Sequence, residues 1–316
     1  MKILETPLIK IKYKYNNIEN YLYVKLESYN ITGSIKDRAI KYMIEDAYSN
    51  NLLKEGDEIV EVTSGNTGIS LASIAHNYNN SVHIFMPDWV SVERLKLIKM
   101  YGARVTLFSK ESGGFISARK NAYKYALENN AYYIDQFNNL SNVKAHYDTT
   151  AIEILNKVNN ISGIVSGIGT GGTLMGIGKR FKEFNKNIKI IALEPEGYAL
   201  LSNKKTNYSH KIEGIGDDFI PNIVDKNLID EIVLVNDMDS INMSKKIASN
   251  LGIGVGISSG ANFIASVLSN DNGDNKIVTV FADDNKKYLS TDLSGNIDNN
   301  KGFISNKIEL LGYEFV

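Results

Sequence analysis

Two periods of apolar residues take turns along this chain. YLYVKLE (21–27) alternates apolar and polar positions as a strand does, whereas AIKYMIEDAYSNNLL (39–53) spaces its apolar residues three and four apart, along one helix face. The exchange then repeats. EIVEVT (58–63) precedes ISLASIAHNY, VHIFMP (82–87) precedes SVERLKLIKMYG, and RVTLFS (104–109) precedes ISARKNAYKYALENN. AYYIDQF (131–137) precedes AHYDTTAIEILNKV, and GIVSGIG (163–169) leads into a helix to about Phe184. The strand IKIIALE (188–194), EIVLV (231–235), a helix from about Asp239 to Asn250 and KIVTVFA (276–282) complete the series. Such alternation predicts an α/β fold, with parallel sheets covered by helices on both faces. Ligands in these folds bind at the carboxyl ends of the strands, which is where the glycine-rich turns of this chain fall.

A length of 316 residues accommodates two domains or one large α/β unit. With a formal net charge of −1, there is no electrostatic reason to expect nucleic acid or an anionic membrane as partner. No apolar run approaches a membrane span, and charges interrupt the apolar positions of MKILETPLIKIKYKY, unlike a signal peptide. A cytoplasmic protein is the expectation. The absence of cysteine excludes disulfides, thiolate metal sites and a cysteine nucleophile together. His76, His83, His146 and His210 are scattered without paired spacing, so they read as surface or structural residues and no metal site is expected.

Chemistry concentrates in four places. Lys36, in TGSIKDR, lies where a strand gives way to a helix; it is either a solvated charge or a cation aimed into a pocket at a helix N-terminus. TSGNTG (63–68) joins a strand to a helix and offers hydroxyls, an amide and free backbone N–H groups to an anion such as a carboxylate, or else forms a well-capped turn. GIGTGGTLMG (167–176) suits a phosphate, with Thr170 and Thr173 adding hydroxyl donors. The same loop satisfies G-x-G-x-x-G through Gly167, Gly169 and Gly172, and Glu194 stands where a ribose-binding acid would, so a dinucleotide is the rival guest. GISSGAN (256–262) by itself fits close helix packing.

Together these segments resemble one family. LESYNITGSIKDR is similar to the cofactor-lysine segment of cysteine synthases and cystathionine β-synthases, the fold type II pyridoxal-phosphate enzymes. EVTSGNTGISLA resembles their substrate-carboxylate loop and GIGTGGTLMGIGKRFKE their phosphate cup, and DQFNNLSNVKAHYDTTAIEIL, EGIGDDFIP, GISSGAN and YLST follow in the family's order. The likeness runs from about Thr6 to Leu293, and HYDTTAIEIL and GIGDDFIP lean toward the cystathionine β-synthase branch.

The resemblance implies two α/β domains with pyridoxal 5′-phosphate in the cleft between them. The smaller domain would span 35–143; the larger would comprise 1–34 and 144–316. Lys36 would carry the cofactor as a Schiff base, and an amine in that role must be partly neutral, hence desolvated. Gly169, Thr170, Gly171, Gly172 and Thr173 would hold the phosphate, Asn66 the ring hydroxyl and Ser258 the pyridine nitrogen. A neutral hydroxyl at that nitrogen makes a weaker electron sink than a carboxylate, which suits prompt loss of a group from Cβ and formation of an aminoacrylate. Thr63, Ser64, Thr67 and Gln136 would bind the carboxylate of a small amino-acid substrate. A homodimer is the assembly the family suggests.

One departure bears on the reaction. Where the family's GIG-x-x-F-I-P segment has alanine or tyrosine, this chain has Asp217, followed by Asp218. A carboxylate facing Cβ would repel sulfide and could take a proton from water, so the specific expectation is L-cysteine and water giving L-serine and hydrogen sulfide. A solvated or backbone-bonded aspartate is the plainer alternative, and cysteine synthesis or cystathionine-type condensation the other reactions. FADDNKKYLST also departs from the family pattern, which leaves Asp283, Asp284 and Lys287 without a role. IELLGYEFV, beyond Leu293, reads as a packing tail or a dimer contact.

Overall fold

A computed structural model of the chain describes residues 3–204, 210–270, 273 and 275–316. The strands β1 (Leu8–Tyr15) and β2 (Ile18–Leu26) form a hairpin, and α1 (Lys36–Ser49) follows. The hairpin turns on Asn16 and Asn17 at φ of 51° and 64°, the left-handed pair that a two-residue connection requires. Next come β3 (Glu58–Val62), α2 (Asn66–Ala75), β4 (Ser81–Pro87), α3 (Val92–Met100), β5 (Arg104–Phe108), α4 (Gly114–Glu128) and β6 (Tyr132–Tyr133). A helical passage comprises α5 (Leu140–Ala145), a π-helical turn at His146–Thr150 and α6 (Ala151–Leu155). The remainder is β7 (Gly163–Gly167), α7 (Gly172–Phe184), β8 (Lys189–Pro195), β9 (Glu231–Val235), α8 (Asp237–Leu251), α9 (Ile257–Leu268), β10 (Ile277–Phe281) and β11 (Glu309–Phe315).

Two sheets result. A four-stranded sheet of order β5-β4-β3-β6 is parallel throughout and takes all its strands from between Glu58 and Tyr133. A seven-stranded sheet of order β11-β1-β2-β10-β7-β8-β9 draws on both flanks of that segment. From β2 to β9 it is parallel, as the alternation predicts; β11, β1 and β2 form an antiparallel edge. The IELLGYEFV tail thus has a definite place within the fold, with Ile9 opposite Phe315. Each sheet is packed on two apolar layers. Val24, Phe263 and Phe281 belong to one layer of the larger sheet and Ile164, Phe181 and Val280 to the other; Ile44, Ile69 and Ile84 compare with Val60, Phe85 and Phe137 in the smaller. Central parallel strands such as β7 and β10 are buried on both faces, which is why they read as continuous apolar runs. Among the described residues no helix is long and apolar enough to cross a membrane.

A buried group of charges fixes the start of α1. Arg38 is fully buried and donates to Glu27 through Nε at 2.7 Å and Nη2 at 3.0 Å. It also donates to Glu153 at 2.6 and 2.8 Å, and Lys25 pairs with the same Glu153 at 2.6 Å. Two cations thus meet two carboxylates, and Thr6 adds its hydroxyl to Glu27 at 2.7 Å. Removing any one member would leave a charge buried without compensation. The group joins β2, α6 and the second residue after Lys36.

Candidate active site

Most of the candidate side chains converge because they stand at a strand's carboxyl end or a helix's first turn. Lys36 opens α1, residues 63–67 span the step from β3 to α2, and 169–173 the step from β7 to α7. Gln136 follows β6, Ser258 is the second residue of α9, and Asp217 lies in the long connection between β8 and β9. One cavity is lined by Lys36, Thr63, Ser64, Asn66, Thr67 and Gln136 on one side of the sequence, and by Gly169, Thr170, Gly171, Thr173, Asp217 and Ser258 on the other. Gly172 is the member of the predicted set that the cavity wall does not include. It opens α7 and is backed by Asn142, whose Oδ1 would stand 2.0 Å from an added Cβ.

The 169–173 turn is shaped by close approach. A Cβ at Gly169 would lie 2.2 Å from Gly214 O, and Gly171, at φ +90°, would put one 2.4 Å from Val224 Cγ2. Asn142 Nδ2 and Gly172 N both donate to Thr170 Oγ1, at 3.0 and 3.3 Å, and His146 Nε2 lies 3.4 Å from Thr173 Oγ1. His146 is buried in the π-helical turn; burial first, then the charges of Arg38 and Lys36, push its pKa well below the usual imidazole value. It is thus a neutral support for the 169–173 turn, a place that its isolated position in the sequence did not signal. Glu194 accepts from Leu201 N, Ser202 N and Ser202 Oγ at 2.7, 3.1 and 2.9 Å. Its carboxylate is consumed by its own loop, which removes the acid that a dinucleotide reading needs.

The 63–68 loop is braced from behind. Thr67 Oγ1 donates to Gln136 Oε1 at 2.6 Å, and Gln136 Nε2 donates to Val62 O at 3.0 Å. Beneath them Glu61, fully buried, accepts from Val62 N at 2.6 Å and Gln136 N at 3.0 Å. Burial pushes the Glu61 carboxyl up to about 8 against those two bonds. Asn66 donates through Nδ2 to Asp283 Oδ2 at 2.7 Å, while its buried Oδ1 has no partner among the described residues. Tyr288 donates its hydroxyl to the same carboxylate oxygen at 2.7 Å. Asp283, unassigned from sequence, therefore orients Asn66.

The electrostatics match a Schiff-base lysine. Burial lowers the Lys36 pKa, with Asp217 and then Asp283 pulling the other way. Burial raises Asp217 to about 6 although Lys36 and Arg119 hold it down. An amine that loses its proton readily and a carboxyl that titrates near neutrality thus share one cavity. These residues fit pyridoxal phosphate: an amine of lowered pKa, a glycine cradle before a helix, an unpartnered buried amide oxygen as acceptor, and a serine hydroxyl. Residues with no predicted role also line the cavity, notably Arg94, Glu213, Phe115 and Tyr288.

Comparison with known proteins agrees with this geometry. Residues 1–283 match the family model described as pyridoxal-phosphate dependent enzyme. Cysteine synthase B of Campylobacter jejuni is 42% identical over 291 residues, covering 91% of this chain and 95% of that one. Among solved structures, a hydrogen sulfide-producing enzyme from Fusobacterium nucleatum is 44% identical with a TM-score of 0.95, over 99% of this chain and 97% of that one. An aspartate-to-asparagine mutant of that enzyme, complexed with an α-aminoacrylate intermediate, is 45% identical with a TM-score of 0.95, over 98% and 95%.

Proposed function

Because the chain belongs to the pyridoxal-phosphate dependent enzyme family, we propose that it replaces the thiol of L-cysteine with water, releasing hydrogen sulfide and forming L-serine. Bound pyridoxal phosphate supplies the aldehyde that captures the substrate amine and the electron sink that lets a group leave Cβ. The chain's residues do the rest. Lys36 holds the cofactor and, once displaced by substrate, moves the Cα proton. Thr63, Ser64, Thr67 and Gln136 would hold the substrate carboxylate, and Ser258 would offer the cofactor's ring nitrogen a neutral hydroxyl.

The observation that carries this reading is Asp217, a carboxyl in the cavity wall that burial has raised to about 6. A base of that strength is mostly ionised at neutral pH yet more proton-hungry than an ordinary aspartate, so it can draw a proton from water as the oxygen bonds to Cβ. The same charge opposes an incoming hydrosulfide anion, which disfavours the synthetic direction. The Fusobacterium mutant is consistent with this role: in that enzyme a lost aspartate accompanies a captured α-aminoacrylate intermediate.

Cysteine synthesis from an activated serine and sulfide is the second reading, favoured by the similarity to cysteine synthase B. Incubation of the holoenzyme with L-cysteine alone, with sulfide, serine and pyruvate measured together, separates the two. Equal sulfide and serine support the proposal. Sulfide with pyruvate and ammonia but no serine, or no turnover at all, rejects it.

A further inference from the structure

Arg94 is an unusual residue to bury. It lies in the first turn of α3, where the helix dipole disfavours a cation, yet it is only 2% exposed. Its stem lies across the carboxylate loop: a Cβ on Gly65 would stand 2.3 Å from Arg94 Cδ and 2.7 Å from Nε. Gly65 is thus glycine because Arg94 occupies the space above it. The guanidinium carbon sits 4.4 Å from the centre of the Tyr288 ring, and Nη1 makes an ion pair with Glu213. Arg94 Nε is buried and has no acceptor among the described residues.

Glu213 belongs to the connection that carries Asp217. Between them Gly214 and Gly216 adopt φ of +90° and +70°, two left-handed residues within three. A Cβ at Gly214 would meet nothing within 4 Å, although its carbonyl packs against Gly169. Downstream the segment is tied by Ile215, which is buried, and by Gly216 N, which donates to Ile168 O at 2.9 Å. Upstream, before Gly214, the charged tie is Glu213 to Arg94. The rest of α3's first turn is anchored separately: Ser91 Oγ donates to Lys287 O, and Ser290 Oγ donates to Glu93 Oε2, each at 2.7 Å.

We infer that Arg94 and Glu213 are positioning residues whose ion pair locks the Asp217 loop against the carboxylate-binding loop, so that substrate seated at residues 63–67 also sets the water-activating carboxylate at Cβ. The inference rests on the proposed water addition for its catalytic consequence, but the lock itself is mechanical. With the lock intact, water adds at Cβ and serine forms. When Asp217 is displaced, the unsaturated three-carbon product is released and hydrolyses to pyruvate and ammonia, while sulfide leaves in either case.

Glu213→Gln removes the charge and keeps the shape, and the independent anchors of α3 leave the fold in place. Two measurements on the holoenzyme test the lock. The first is amide hydrogen exchange: Glu213→Gln should speed exchange about tenfold or more in both 63–68 and 213–217. The second is the serine-to-pyruvate ratio from L-cysteine, which should fall about tenfold or more, with Arg94→Lys causing a comparable loss and the double variant no further one. Exchange that changes only in 213–217, or losses that add in the double variant, overturns the lock. A wild type that makes sulfide but no serine rejects the proposed reaction instead, and the exchange result then decides the lock alone.

Discussion

Lys36 and Asp217 line the same cavity, and each exerts on the other the strongest charge–charge influence that it feels. Burial disfavours charge on both, lowering the amine and raising the carboxyl to about 6. Burial thus works against both charges while each charge favours the other, a balance that suits a site that moves protons.

For the acid limb of activity, the base works only when ionised. Serine formation per unit enzyme at low cysteine should rise as pH passes through about 6. Asp217→Asn should lose that limb and slow serine formation by about 10²–10⁴-fold. A variant that retains the limb would assign it to another group.

Asp217 should also make the apo protein less stable above pH 6. Its folded pKa, about 6, exceeds the ordinary 3.8, so between those values the folded chain holds a proton that the unfolded chain has lost. Stability consequently falls as pH rises through that window, by about 2–3 kcal/mol in all. Asp217→Asn should raise the melting temperature at pH 7.5 and leave it nearly unchanged at pH 4, as read by calorimetry.

Lys36→Ala should abolish the violet-edge absorbance of cofactor joined to lysine, together with all turnover. Its far-ultraviolet circular dichroism should match the parent, because the variant no longer buries an amine. Absorbance that survives the substitution would remove Lys36 from the reaction.

At Gly171 two physical effects coincide. A valine there would be strained at φ +90° and would press its Cβ to within 2.4 Å of Val224 Cγ2. We expect loss of pyridoxal phosphate on dialysis and about 1–3 kcal/mol of destabilisation. Full cofactor retention by Gly171→Val would place the phosphate elsewhere.

Arg38→Met should be severe although Arg38 does not line the cavity. It leaves Glu27 buried without its cation, at a cost of about 3–5 kcal/mol. Denaturant unfolding would register that loss. An Arg38→Met, Glu27→Met double variant should recover part of it, since neither charge is then stranded.

The parallel sheets and the site loops were legible because both depend on local pattern. A buried parallel strand is an apolar run, and TSGNTG and GIGTGG, glycine and hydroxyl at strand-to-helix steps, do line one cavity. What escaped reading depends on partners distant in sequence. Lys25 and Glu27 look like the polar half of an alternating strand, and their burial follows only from Arg38 and Glu153. Arg94 sits among glutamate and lysines on a helix that looks solvent-facing, and Glu213 precedes a glycine turn like any loop acid. Asp283 gained a role only when Asn66, 217 residues away, proved to be its partner.

The interleaving of the two sheets sets an order of assembly. The smaller sheet pairs strands drawn from one continuous stretch, Glu58 to Tyr133, whereas β2 must wait for β10, with Leu22 opposite Ile277. On a growing chain the smaller sheet can close long before the larger one acquires its centre, because contacts near in sequence form first. Until β10 docks, the wall formed by Val280 and Ala282 is missing from around Lys36. Without that wall the lysine lacks part of the burial that lowers its pKa in the folded chain. The desolvation that lowers the Lys36 pKa is thereby a gift of the last parallel strand to dock, not a property of the helix that bears the lysine.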